Sequence, residues 1–422
     1  TKIRTGAGPE ALKRIDASPI RPSKQLADAV GSMLSGNEEF VLLDEQKTVL
    51  EKIVNASTKS MVDKKQVLII KGGPGTGKSV ISINALSRLS GLRMNARYIT
   101  PNAAPRAVFE SKLQETLSGV GLQDLFSGSG VYAGVGKDSF DVLIVDEAHR
   151  LKLRGQWTKG GVNQIQEIIH AARTSVFFID EAQKVTWKDI GEIASIEKFA
   201  LAAGAEVEHL ELTSQFRCGG SDDFMAWLDN ALGVRIEADS YFSPGKFDFK
   251  IVDSPTELHQ IIKEKNQVNN KSRVVAGYCW EWVSRNDRSL SDIEFPEFGF
   301  EADWNLTEYG SRWIIDAESI EEIGCIHTCQ GLELDYVGVI IGPDLVAAGD
   351  HLVTDPSARA KSDKSLNGYK KNFKIDAVAA NAKADEIIRN TYRTLMSRGM
   401  KGCYVYFVDP EVKKYFESKL PG

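Results

Sequence analysis

Runs of four to six apolar residues, closed by turn residues, alternate along the chain with stretches whose apolar positions recur at helical spacing. This is the pattern of buried parallel strands connected by helices. It predicts strands at residues 67–70, 98–100, 142–145, 176–179 and 207–212 in the first half, and at 247–252, 274–278, 337–341 and 404–408 in the second. That is enough for two sheets. Residues 1–40 hold one amphipathic helix, near 24–34 after Pro19 and Pro22, and read as an arm packed on a first domain of residues 41–217. A second domain, 218–422, opens with a helix near 221–232, the segments 213–220 and 240–245 forming the hand-over. The acidic stretch 284–303 and the basic stretch 355–374 read as long surface loops in the second domain. No internal repeat or low-complexity tract stands out.

Composition narrows the class. The chain has 422 residues, 42% hydrophobic and 26% charged, an ordinary globular balance that excludes wholesale disorder, collagen-like repeats and a membrane protein. Lys+Arg 52 against Asp+Glu 58 gives a net charge of -6, so nucleic-acid binding requires a local basic groove. Cys218, Cys279, Cys325, Cys329 and Cys403 form neither a disulfide framework nor a Cys-x-x-Cys metal site, which points to a reducing compartment. Cys325 and Cys329 read as small buried thiols. No run approaches ~18 apolar residues and no leader opens the chain, so a cytoplasmic location is expected. The chain begins at Thr1 rather than Met, which leaves room for an upstream domain.

Gly72-Gly73-Pro74-Gly75-Thr76-Gly77-Lys78-Ser79 fits G-x-x-x-x-G-K-[ST], directly after the strand 67–70 and before a helical run at 79–89. The glycines allow successive backbone N–H groups to curl round a phosphate. The helix N-terminus adds partial positive charge, Lys78 reaches the β and γ phosphates, and Ser79 is a ligand for Mg²⁺. The expected cofactors are ATP and Mg²⁺.

A phosphate loop needs a strand-end carboxylate for the metal, and two segments offer one: Asp146-Glu147-Ala148-His149 and Asp180-Glu181-Ala182-Gln183. Order along the chain assigns Asp146 to the metal and Glu147 to deprotonating the attacking water, with Gln183 as γ-phosphate sensor. The reverse assignment is the alternative. His149 and Glu181 have a second reading as solvated loop residues, favoured for Glu181.

From here the residues resemble the superfamily 1 helicases and translocases, and within them the prokaryotic Schlafen group 3-like DNA/RNA helicase domain family, over residues 21–408. Leu42-Leu43-Asp44-Glu45-Gln46 resembles the adenine-reading Q motif, with Gln46 on the base. Tyr98-Ile99-Thr100-Pro101-Asn102 is similar to motif Ia, implying strand contacts by Thr100, Pro101 and Asn102. Gln215-Phe216-Arg217 resembles motif IV, and Arg217 would reach the γ phosphate across the cleft. His327-Thr328-Cys329-Gln330-Gly331-Leu332-Glu333-Leu334-Asp335 resembles motif V, placing Gly331 and Glu333 at the nucleotide and Thr328 at the strand. Residues 389–399, with Tyr392, Ser397 and Arg398, resemble motif VI, in which Arg398 would be a second finger and Arg393 its rival.

The resemblance implies two RecA-like P-loop NTPase domains with parallel sheets and an ATP cleft between them. The implied activity is ATP hydrolysis coupled to movement on, or remodelling of, single-stranded nucleic acid, DNA ahead of RNA. An Arg finger is worth about 10³ to 10⁵ in rate. The chain departs from better-known helicases in having Asp180-Glu181-Ala182-Gln183 where Gly-Asp-x-x-Gln is usual, and it is short for large accessory insertions; both bear on strand separation. The competing reading is an ATP-gated nucleic-acid switch that controls an effector such as a nuclease domain or a partner protein. An AAA-type ring ATPase predicts a helical lid, which the strands at 274–278 and 337–341 oppose, and a small-molecule kinase lacks a substrate lid.

The tract Arg359, Lys361, Lys364, Lys370, Lys371 and Lys374 is either a phosphate-binding strip or a solvated loop. Trp187 is either a base-stacking platform or a core residue. Trp280, Trp282, Trp304 and Trp313 read as packing residues, with Cys279-Trp280-Glu281-Trp282, at a strand end, having a second reading as facing the cleft.

Overall fold

In a computed structural model of the protein, the described residues are 26–34, 37, 39–40, 42–116, 125–153, 163–214, 222–235, 242, 247–305, 309–329 and 332–420. Gln215, Phe216, Arg217, Cys218, Gln330 and Gly331 lie outside them.

The first half forms a sheet of β1 (Gln66–Gly72), β2 (Ala96–Ile99), β3 (Phe126–Ser127), β4 (Phe140–Val145), β5 (Ala172–Ile179) and β6 (Glu206–Leu212) in the order β3-β2-β4-β5-β1-β6. Every pairing is parallel. The helices are α1 (Leu26–Leu34), α2 (Asp44–Ser60), α3 (Lys78–Gly91), α4 (Ala103–Thr116), α5 (Gln164–Ala171) and α6 (Ile193–Ala202). Alternation along β1 explains the layering: Leu68 and Ile70 join one buried cluster and Val67 and Ile69 the other, so helices cover both faces. The α1 arm packs on this unit through Leu26, Ala29, Val30 and Met33, as the amphipathic pattern predicts, and Ser87 donates to the Met33 carbonyl at 2.7 Å.

The second half begins with α7 (Asp222–Ala231), β7 (Asp248–Ile251), α8 (Pro255–Asn266) and β8 (Ser272–Ala276), followed by the hairpin β9 (Ile293–Phe295) and β10 (Phe300–Ala302). After β11 (Ile323–Gly324), α9 (Ile326–Cys329) and β12 (Leu334–Ile341) comes a second hairpin, β13 (Leu345–Ala348) and β14 (His351–Thr354). The chain closes with α10 (Tyr369–Phe373), α11 (Ala377–Met396), β15 (Gly399–Phe407) and α12 (Pro410–Ser418). The main sheet runs β11-β8-β12-β15-β7, again with parallel pairings. The two parallel sheets implied by the sequence are both present. The hairpin β9–β10 occupies the stretch read as an acidic loop.

The two sheets share a core. Ala104 and Val108 of α4, with Val185, pack into the same buried cluster as Trp313, Ile326, Leu332, Val339 and Tyr392 from the second half. Burying apolar area contributes roughly 25 cal/mol per Å², so this contact ties the segments after β2 and β5 to the second sheet. Trp304 and Trp313 are fully buried, in line with their reading as packing residues.

Candidate nucleotide site between the two sheets

The loop between β1 and α3 reverses direction at Gly75 (φ 80°) and Gly77 (φ 85°), left-handed conformations that side chains disfavour. A Cβ on Gly77 would also lie 2.3 Å from Gln46 Nε2. Thr76 Oγ1 closes the loop by donating to the Gly73 carbonyl at 3.0 Å. The Lys78 ammonium is buried and donates to the carbonyls of Gly72 at 2.9 Å and Gly73 at 2.7 Å. Pro74 is buried between the half-buried Gly73 and Gly75.

Strand order decides what faces this loop. β5 lies between β1 and β4, so the segment after β5 sits between the phosphate loop and the segment after β4. Ser79 Oγ donates to Asp146 Oδ2 at 2.5 Å, and the Tyr98 hydroxyl donates to the same oxygen at 2.8 Å. Burial and the neighbouring Glu147 charge push the Asp146 carboxyl above the usual carboxylate range, against the pull of those hydroxyls. Ser79 and Asp146 therefore supply hard oxygen donors side by side, a set that suits Mg²⁺ sharing its shell with phosphate oxygens and water. Among the described residues no cluster of three or more His, Cys, Asp or Glu side chains makes an all-protein metal site.

Glu147 adopts φ 55°, ψ 42°, a left-handed conformation for a non-glycine residue, of the kind that clusters at functional sites. Its Oε2 lies 3.0 Å from His149 Nε2, and both side chains are buried. His149 Nδ1 accepts from the Asp180 backbone N–H at 3.4 Å, which leaves Nε2 as the protonated nitrogen facing Glu147. Burial alone would raise the Glu147 carboxyl, but His149, Lys78 and Arg398 outweigh it and hold the group well below its usual range. The segment is braced from behind, where Gly191 admits a backbone approach that a Cβ would block at 1.9 Å from the Ala148 carbonyl. His149 is thus no solvated loop residue, which decides between the two readings the sequence leaves open: its partner is the carboxylate two positions earlier. Glu181, favoured as solvated, accepts from the Ile193 N–H at 3.1 Å and caps α6.

The third layer comes from the second half. Gln183 is buried, its amide donating to Asp180 Oδ2 at 2.8 Å. Its Oε1 accepts from Arg398 Nη2 at 3.3 Å. Arg398, almost wholly buried, also donates to the carbonyls of Thr394 at 3.1 Å and Leu332 at 3.4 Å. Arg393 is held differently: its guanidinium grips Asp229 and stands 3.6 Å from Asp180 Oδ2. Burial would raise Asp180, but Arg393 and Lys78 hold its carboxyl below the usual range. Of the rival arginines, Arg398 meets Gln183 and acts electrostatically on Glu147, whereas Arg393 is committed to an acidic pair.

The remaining predicted residues are placed as follows. Gln46 is buried, with Oε1 accepting from the Leu43 N–H at 3.1 Å and Nε2 donating to the Thr76 carbonyl at 3.1 Å, so it couples the start of α2 to the phosphate loop. Thr100 is fully buried at the end of β2, its N–H bonded to the Ser127 carbonyl at 3.1 Å; Pro101 and Asn102 follow, half buried. Thr328 Oγ1 donates to the carbonyl of Cys325, the residue before α9, at 2.9 Å. Glu333 is half buried just before β12. Trp187 stands between the halves: its N–H donates to the Ser365 carbonyl at 2.6 Å, Lys383 Nζ lies 5.0 Å over its ring, and Tyr369 meets it edge-on at 6.2 Å. Arg359 does not belong to an exposed strip. It is buried, with Nε 2.9 Å from Asp344 and Nη1 3.1 Å from Asp363, a structural pair that the polar surroundings in sequence concealed.

Residues 65–409 match the family model described as Schlafen group 3, DNA/RNA helicase domain. An uncharacterized protein of the yeast Saccharomyces cerevisiae, YPL245W, is 25% identical over 455 aligned positions, covering 97% of this chain and 98% of that protein. Among solved structures, the Pif1 helicase of Candida albicans is similar at 12% identity and a TM-score of 0.39, over 90% of this chain and 99% of that one. A DNA replication initiation factor is similar at 13% identity and a TM-score of 0.24, over 47% and 55%. Among the described residues no helix is long and apolar enough to cross a membrane.

Proposed function

Because the chain belongs to the Schlafen group 3, DNA/RNA helicase domain family, we propose that it is an ATP-dependent helicase or translocase of the superfamily 1 type, which couples hydrolysis at the cleft between its two sheets to movement on single-stranded nucleic acid. The observation that carries this reading is the contact of Arg398 with Gln183, which joins the second half to the ring of Lys78, Ser79, Asp146 and Glu147.

In this reading Gly73, Pro74, Gly75, Thr76 and Gly77 cradle the phosphates, and Lys78 exchanges its two loop carbonyls for phosphate oxygens. Gln46 holds the loop from the adenine side. Ser79 and Asp146 would hold Mg²⁺, whose role is to neutralise charge on the transferred group. Glu147, ionised and oriented by His149, accepts the proton of the attacking water. Arg398 stabilises the charge that develops in the transition state, and Gln183 senses whether the γ phosphate is present. Arg217, just beyond β6, is proposed as the companion finger. Gly331 and Glu333 lie on the segment leading into β12 and are proposed to contact the nucleotide. Because Asn390, Arg393 and Arg398 all stem from α11 or its end and touch the segment 180–184, a change at the nucleotide would shift α11 and with it the second sheet. Strand contacts are proposed for Thr100, Pro101, Asn102, Trp187 and Thr328.

ATP binding and turnover with Lys78→Ala and Glu147→Gln test the assignment. Lys78→Ala should lose nucleotide affinity, and Glu147→Gln should keep affinity and lose turnover. Wild-type turnover in Glu147→Gln would remove the base from this scheme.

A further inference from the structure

The corner where α10 meets α11 is at once apolar and cationic. Phe373, Ile375 and Val378 are 43%, 76% and 82% exposed, three large apolar side chains within six residues. Single exposed apolar residues are ordinary on a protein surface, but a cluster marks a contact. Lys370, Lys371 and Lys374 flank it, all exposed, and none forms an ion pair among the described residues. In a chain of net charge -6 this is a local surplus of positive charge.

The corner is also wired to the nucleotide site. Gln183 lies four residues before Trp187, whose N–H bonds to Ser365. The Trp187 ring abuts Gly368, where a Cβ would lie 2.8 Å from Cδ1, and meets Tyr369 at 6.2 Å. Tyr369 in turn meets Phe373 at 5.6 Å. An aromatic row thus runs from the segment after β5 to the exposed corner.

We propose that this corner is a wedge that engages the junction between single-stranded and duplex nucleic acid, with Lys370, Lys371 and Lys374 on phosphates and Phe373, Ile375 and Val378 against the terminal base pair. Apolar side chains set among cationic ones are what unstacks a base step, and the lysines match a polyanion. The inference rests on the nucleic-acid reading above.

The test uses a forked DNA carrying 2-aminopurine at the junction pair, without nucleotide, beside a single strand of the same sequence. The parent protein should bind the fork more tightly and raise the junction fluorescence. The triple variant Phe373→Ala, Ile375→Ser, Val378→Ser should fold normally, bind the single strand within about twofold, and lose about tenfold in fork affinity together with the fluorescence rise. Replacing Lys370, Lys371 and Lys374 by Ala should weaken both ligands and lower the log–log salt slope by roughly two units. A triple apolar variant that opens the junction as the parent does overturns the wedge, as does a parent that binds fork and single strand alike with no fluorescence change. Binding to phosphatidylserine vesicles that depends on Phe373, without junction opening, overturns it in favour of a membrane contact. If no DNA or RNA binds and turnover ignores both, the motor reading fails with it; strand-stimulated turnover with an indifferent triple variant sinks the wedge alone.

Discussion

Arg398, just past the end of α11, donates to the side-chain oxygen of Gln183, 3.3 Å away, and this hydrogen bond joins the second half of the chain to the segment between the phosphate loop and the carboxylates. Both side chains are almost wholly buried, so the bond acts in a medium where charge is poorly screened. Arg398→Ala should lower ATP turnover by about 10³ while nucleotide affinity changes little. Steady-state hydrolysis beside fluorescent-nucleotide binding separates the two effects. Equal losses in both would make Arg398 a binding residue rather than a finger.

Arg393, five residues earlier, should behave in the opposite way. Its removal leaves Asp229 and Asp180 buried without their cation, which costs about 3–5 kcal/mol of stability. Thermal unfolding of Arg393→Ala should show a larger fall in Tm than Arg398→Ala, which orphans neutral acceptors rather than buried carboxylates. A stable Arg393→Ala protein with no turnover would reverse the roles of the pair.

Much of this arrangement was legible in the chain, and the parts that were not share a cause. The nine strands read from apolar runs all appear; the central ones are buried on both faces and need no partner to reveal themselves, whereas β6 and β7, at the sheet edges, are partly exposed. The hairpins β9–β10 and β13–β14 were missed: three or four residues of alternation are too few to show a period. The phosphate loop and Asp146 were readable from local spacing. His149 stays open between two readings in the sequence because its contact with the Asp180 N–H comes from a neighbouring strand end, although its spacing from Glu147 is a usable signal. Arg359 and Trp187 were obscured in the same way, since Asp344 and Gly368 reach them only in the folded chain.

Gly191→Ala should disable the site without touching a nucleotide ligand. The added Cβ would fall 1.9 Å from the Ala148 carbonyl and 2.5 Å from the His149 Cα, both backbone atoms that cannot rotate away. We expect about 1–3 kcal/mol of destabilisation and a loss of turnover exceeding the loss of affinity. Unchanged turnover would show that the backbone behind Glu147 has slack.

His259 gives the fold a pH dependence far from the site. Burial lowers its pKa below 6.5, and its Nε2 faces the Ile320 carbonyl at 2.9 Å. Below pH 6.5 the unfolded chain takes up a proton that the folded chain refuses, so this contribution is complete above 6.5 and is lost as the pH falls through the lowered folded value. Urea midpoints for the parent and His259→Gln should converge on acidification. A constant gap between them across that range would contradict this.

The account stands most directly on hydrolysis coupled to a strand. ATP turnover of the purified chain should be measured alone and with single-stranded DNA or RNA, with Glu147→Gln as control. The account predicts at least about tenfold stimulation by one of them, some 1.4 kcal/mol of barrier, and none in the variant. Slow turnover indifferent to both nucleic acids would contradict a motor and favour an ATP-gated switch acting on another domain or protein.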